Sequence, residues 1–114
     1  MSTDRELLEK AAKAAGYELA LPVNAEMRWE DSRNDFVHWN PLTDDGDALR
    51  LACKLKINIE HMHTLSGLEF GINCWPHGRG DCGVSEDGEI RDYAAATRRA
   101  IVRAAAALGE QHDQ

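Results

Sequence analysis

Aromatic residues make up only 6% of this chain. That excludes a core filled by rings, and the plentiful alanines point instead to helices packed at close range. No apolar run approaches the roughly 20 residues that a membrane-spanning helix requires, so no membrane partner is expected. Basic residues are also short: 13 Lys and Arg stand against 20 Asp and Glu, a net charge of −7. Nonspecific coating of nucleic acid needs a net basic surface or a strong basic patch. That class is disfavoured, whereas a basic protein partner is compatible. Cysteine is limited to Cys53, Cys74 and Cys82, an odd number, and the polar start Met1-Ser2-Thr3-Asp4-Arg5-Glu6 does not read as an export signal. Free thiols in a reducing cytoplasm are the expectation. Only three prolines are present and none marks a linker, so the 114 residues are read as a single domain, 1–114.

Helix signals are clear at three places. Thr3 and Glu6 form a Thr-x-x-Glu capping box. Leu7, Leu8, Ala11, Ala14 and Ala15 continue as an apolar stripe and Gly16 suits a left-handed stop, which predicts a helix over 4–15. Asn40-Pro41 marks a turn. Thr43 or Asp44 then caps a second helix that runs to about Lys56, with Asp44, Asp45 and Asp47 at its start, where the dipole favours negative charge. Ala48, Leu51, Ala52 and Leu55 share one face, and Cys53 is expected as a small buried residue near it. Asp92 caps the last helix, and Tyr93, Ala96, Thr97, Ala100, Ile101, Ala104 and Leu108 form its buried stripe. Gly109 is expected to stop it, leaving 110–114 as a frayed tail.

Between these helices the period changes to two. Ile57, Ile59, His61 and His63 alternate with Asn58 and Glu60, and Leu68, Phe70, Ile72 and Cys74 alternate with Glu69, Gly71, Asn73 and Trp75. This is the pattern of an antiparallel sheet covered on one side. Pro76 ends the second strand or puts it at an edge. Residues 82–86 are read as a third strand, ended by Asp87-Gly88. Residues 17–38 are less regular. Segments 17–21 and 27–30 read as a surface hairpin around a 22–24 turn, with 31–35 as loop. The fold class is therefore α+β: an antiparallel sheet of about three or more strands packed with three helices, in the order α-(ββ)-α-β-β-β-α.

Two strings, Trp39-Asn40-Pro41-Leu42-Thr43-Asp44-Asp45-Gly46-Asp47-Ala48-Leu49-Arg50-Leu51-Ala52 and Tyr93-Ala94-Ala95-Ala96-Thr97-Arg98-Arg99-Ala100-Ile101-Val102-Arg103-Ala104-Ala105, resemble the phage ABA-sandwich domain family, small phage and prophage proteins of unknown function. The match is densest over 39–56 and 90–109. The resemblance implies a phage or prophage origin and helices on both sides of a sheet. It brings no catalytic residue to this chain. The alternation itself places the apolar residues mainly on one face.

Several residue groups invite a functional reading. His61, His63, Cys74, His77 and Cys82 suggest zinc. If 64–67 is a hairpin loop, His63 faces Leu68, His61 faces Phe70 and Ile57 faces Cys74. That sets the histidines and Cys74 about 13 Å apart at ~3.3 Å per residue, too far for one ion. The subset Cys74, His77 and Cys82 can meet in one loop but has no evident fourth ligand, so no metal is assigned. Asp44, Asp45 and Asp47 lack calcium-loop spacing and are accounted for by capping. A cysteine nucleophile needs a histidine base beside it and an oxyanion site, and only sequence proximity links Cys74 to His77. On the last helix Arg99 and Arg103 are stacked at i, i+4 in solvent, with Arg98 nearer the buried stripe, so the three can contact an acidic or phosphate-bearing partner or simply form a solvated face. Trp75 falls on the polar face of its strand, where it is either an interface anchor or covered by another segment.

These features imply a non-enzymatic, phage-encoded accessory protein of the bacterial host cytoplasm, with no cofactor. It would bind a host or phage protein, for example as an anti-defence inhibitor, or a small nucleotide signal through Arg98, Arg99 and Arg103. The alternatives are a metal- or cysteine-dependent enzyme using the His61–Cys82 region, or a virion assembly component that forms a homo-oligomer through the Trp75 face.

Overall fold

The computed structural model describes residues 3–21, 23–63, 69–78, 83–89 and 93–111. In chain order these form α1 (Asp4–Ala15), β1 (Leu19–Ala20), β2 (Asn24–Glu30), β3 (Asp35–His38), α2 (Asp45–Leu55), β4 (Ile57–His63), β5 (Glu69–Pro76), β6 (Val84–Glu89) and α3 (Tyr93–Gln111). The class is α+β, with two antiparallel sheets ordered β1-β2-β3 and β4-β5-β6. The last three strands hold the sheet read from the alternation. The first sheet contains the expected hairpin, β1 with β2, and adds β3 to it.

Helix α1 has the expected bounds. The Thr3 hydroxyl accepts the Glu6 N–H at 3.2 Å, and Gly16 closes the helix at φ 77°. At α2 the cap is Asp44, not Thr43: its carboxylate accepts the Asp47 N–H at 2.8 Å. Lys56 takes the left-handed conformation at φ 54° and turns the chain straight into β4.

The 31–35 loop reading is corrected: Asp31-Ser32-Arg33-Asn34 is a tight turn, and Asp35 already belongs to a further strand. Asn34 accepts φ 51° there, as asparagine does more readily than most residues. The chain then returns as β3, and Phe36 pairs with Trp29 across the strands, ring edge to face at 5.3 Å.

In the second sheet the register differs from the expectation by two residues. His63 pairs with Phe70, His61 with Ile72, Ile59 with Cys74 and Ile57 with Pro76. A two-residue slip leaves every side chain on its own face, so the hydrophobic alternation is blind to it. Strand β6 runs through Asp87-Gly88 to Glu89, pairing Phe70 with Gly88 and Ile72 with Glu86.

Helix α3 is the centre of the molecule. It packs on α1, on α2 and on the β4–β6 sheet. Ala100, Ile101, Val102, Ala104, Ala105 and Ala106 are all buried, so the single stripe expected of it is corrected to burial around most of the helix. Gly109 does not stop α3. It lies inside the helix, where a β-carbon would sit 2.0 Å from the Lys10 carbonyl oxygen of α1. Glycine is there to let two helices approach.

Ile72 and Cys74 face α3 from the sheet and are fully buried. Helices therefore cover one face of β4–β6, as the alternation indicates. Among the described residues no helix is long and apolar enough to cross a membrane. The Asp92 cap, Leu68, Cys82 and residues 112–114 lie outside the described residues.

Candidate functional site

The arginines of α3 are engaged within the fold. Arg98 donates from Nε to the Leu42 carbonyl at 2.9 Å and from Nη1 to Asp45 at 2.6 Å, tying α3 to the start of α2. Arg99 reaches Asp4 at 3.2 Å and Glu86 at 3.8 Å. Arg103 donates to the same Glu86 at 2.8 Å. The expected placement of Arg99 and Arg103 together in open solvent is corrected: both close on one carboxylate of β6. The carboxylates of Glu86 and Asp4 offset the positive charge that an arriving phosphate would meet.

The acids at the start of α2 are similarly occupied. Asp44 caps the helix and Asp45 holds Arg98. Asp47 is buried. It accepts the Asn40 N–H at 3.0 Å and the Arg50 guanidinium at 2.7 Å. That hydrogen bond, ahead of the Coulombic attraction of Asp47 and Asp44, strengthens the hold of Arg50 on its proton. Among the described residues no group of three or more His, Cys, Asp or Glu is arranged to hold a metal ion.

Of the two described thiols, Cys74 lies as the alternation placed it and Cys53 does not. Cys74, which alternation puts on the apolar face, is fully buried against the core, and burial pushes its thiol up to about 11. It is a packing residue, and burial favours its neutral form. His77 is exposed, and its N–H donates to the Lys56 carbonyl at 2.9 Å. Cys53, expected inside, is exposed. It lines an open cleft of about 490 Å³ with Leu49, Lys56, Asn58 and His77, between the end of α2 and the start of β4. These placements predict thiol reactivity, which follows thiolate character and access. In a Cys82→Ser protein at about pH 8, one thiol should react quickly with a chromogenic disulfide, and a second only after denaturation. Two fast thiols in the folded protein would show that Cys74 is not buried.

The remaining candidate is the open face of β4–β6. Register and alternation put Asn58, Glu60 and Met62 of β4 beside Trp75, Asn73 and Gly71 of β5 on the side away from α3. Trp75 is half-buried, and Met62 keeps 49% of its surface exposed. The Asn58 amide donates to the Trp75 carbonyl at 3.4 Å, and the Asn73 amide donates to Glu60 at 3.2 Å. Among the described residues no helix lies on this face. The tryptophan singled out by alternation is thus on the uncovered side, but sequence reasoning took it alone and missed Asn58, Glu60, Met62 and Asn73 around it. The signal was available in the same alternation. No family model matches the chain, and neither does any curated protein or solved structure.

Proposed function

We propose that this protein is a binding module without chemistry of its own, a phage- or prophage-encoded accessory factor that docks on a host or phage protein in the bacterial cytoplasm. The observation that carries the reading is Trp75, half-buried on a sheet face over which no helix lies among the described residues. Tryptophan is prominent among residues that dominate interface energetics, because it offers a large, rigid, partly apolar surface. Met62, four residues along the strand on the same face, adds adaptable apolar area. The resemblance of the Trp39–Ala52 and Tyr93–Ala105 strings to phage proteins supports the origin. A protein partner is favoured over a nucleotide signal because Arg98, Arg99 and Arg103 already bind Asp45, Asp4 and Glu86.

The test compares tagged wild-type protein with Trp75→Ala and with Arg99→Ala/Arg103→Ala in host lysate, each checked for folding by its melting curve. A partner retained by the wild type and by the arginine variant, but lost by Trp75→Ala, is expected. Capture of nothing by the wild type, or a partner that ignores Trp75 and follows the arginines, would overturn the reading.

A further inference from the structure

We infer that the outer edge of β4 pairs antiparallel with the same edge of a second copy of this chain, joining two three-stranded sheets into one. Backbone parity shows what the edge offers. The His77 N–H donates to the Lys56 carbonyl, and the register runs on from there, with Ile57 opposite Pro76 and Asn58 opposite Trp75. Bonded and non-bonded pairs alternate along an antiparallel ladder. Asn58, Glu60 and Met62 therefore turn their backbone groups to β5, and Pro76, which has no N–H, stands at a non-bonded position. Ile57, Ile59, His61 and His63 turn theirs outward, where no strand pairs with β4 among the described residues. A cleft of about 490 Å³ lies along Ile57, Asn58 and Ile59, so the edge is open to an arriving strand. Leu49, 60% exposed in the same cleft, offers that strand apolar contact.

Sheet edges are ordinarily blunted by shortness, charge or proline. The other edge strands follow that rule: β1 has two residues, β3 has four, and β6 carries Glu86, Asp87 and Glu89. Strand β4 has seven residues in unbroken register, without Lys, Arg or Pro. An antiparallel edge supplies donors and acceptors alike, so it complements itself across a two-fold axis. Three registers bond most of the outward groups, centred on Ile59, on Glu60 or on His61. Centring on Glu60 sets carboxylate against carboxylate at a non-bonded pair, where Cα atoms approach to about 4.5 Å and like charges destabilise. Centring on His61 sets Glu60 against Met62. Centring on Ile59 joins Ile59 to Ile59, Ile57 to His61 and Asn58 to Glu60 of the second copy. The Asn58 amide has a second N–H to donate beyond its bond to the Trp75 carbonyl, and the Glu60 carboxylate can accept it beside Asn73. Any extended chain answers the backbone groups; a second copy in this register also answers Asn58 and Glu60. The helices of both copies then lie on one side of the joined sheet, and the two Trp75 faces form one surface on the other.

Sedimentation equilibrium is the test. The wild-type mass should rise from one chain towards two between about 1 and about 500 µM, the range expected of a small interface. Association should tighten as salt rises, because each copy carries a net charge of −7 and screening reduces the repulsion. Asn58→Glu sets like charges opposite each other twice across the axis and should weaken association at least about tenfold. Asn58→Glu/Glu60→Lys restores opposite charges there and should recover most of that loss. His61→Pro removes an outward N–H from each copy and no bond to β5, and should also weaken association about tenfold. Melting curves check that each variant is folded. A single-chain mass at every concentration overturns the inference. So does a dimer that folded His61→Pro leaves intact, since the copies then meet without backbone pairing at this edge. A dimer weakened by His61→Pro but indifferent to the Asn58 and Glu60 variants upholds the edge and moves its register.

Discussion

Gly109→Ala is expected to destabilise the protein by at least about 3 kcal/mol, a cost at the upper end of overpacking. The sign makes this a sharp test. Gly109 lies inside α3, and intrinsic propensity alone favours alanine over glycine in a helix interior by about 1 kcal/mol. Geometry opposes it. The added carbon would meet the Lys10 carbonyl oxygen at 2.0 Å and the carbonyl carbon at 2.7 Å. Both obstacles are backbone, so no rotamer change relieves them. Helix α1 would have to lift away, opening the contact lined by Ala11, Ala12 and Ala15, all buried. Against a total stability of about 5–15 kcal/mol for a typical domain, that leaves a marginal fold. Urea unfolding should show a lower midpoint with an unchanged slope. A midpoint that rises would mean the two helices do not cross at this glycine.

The same residue shows where local sequence rules stop. A glycine after an alanine-rich stripe reads as a helix stop, and at Gly16 that rule holds, with φ 77°. At Gly109 the chain is still helical, and what selects glycine is a backbone 99 residues away in sequence that no local pattern reports. Capping was legible because it is local: Thr3 bonds to the N–H three residues on, and so does Asp44. The faces of β4 and β5 were legible because alternation is local. Their register was not, since a two-residue slip leaves the alternation intact. Strand β3 was missed because Asp31-Ser32-Arg33-Asn34 carries turn chemistry that also suits a loop.

The site divides along the same line. Placing Trp75 on the face opposite Ile72 and Cys74 needed strand parity alone, whereas the absence of a helix over that face among the described residues needed the fold. The fate of the arginines needed the fold, because Arg103 meets Glu86 17 residues away and Arg99 meets Asp4 95 residues away. The clustering of Cys74 and His77 in sequence suggested a shared site, but parity sends Cys74 into the core, beneath α3, while His77 stays exposed.

Trp39→Ala is expected to cost about 3–5 kcal/mol, the usual range for emptying a buried aromatic site. The Trp39 indole is 2% exposed and meets the Tyr17 ring edge-on at 5.5 Å. An aromatic pair of this kind contributes about 0.5–1.5 kcal/mol beyond its buried area. The residue also sits where the first sheet is joined to α2. Its N–H donates to the Glu26 carbonyl at 2.7 Å. The next residue, Asn40, is buried; its N–H donates to Asp47 of α2, and its amide donates to the Glu26 carboxylate. Truncating the ring leaves these polar bonds without the apolar cover that shields them. Trp39→Phe keeps an aromatic edge for Tyr17 and should lose less than Trp39→Ala. A loss below about 1 kcal/mol for Trp39→Ala would place the indole outside the core. Trp39 belongs to the core and not to the face that carries Trp75. Below its melting transition the Trp39→Ala protein should therefore still capture a Trp75-dependent partner, whereas Trp75→Ala should lose the partner while keeping most of its stability.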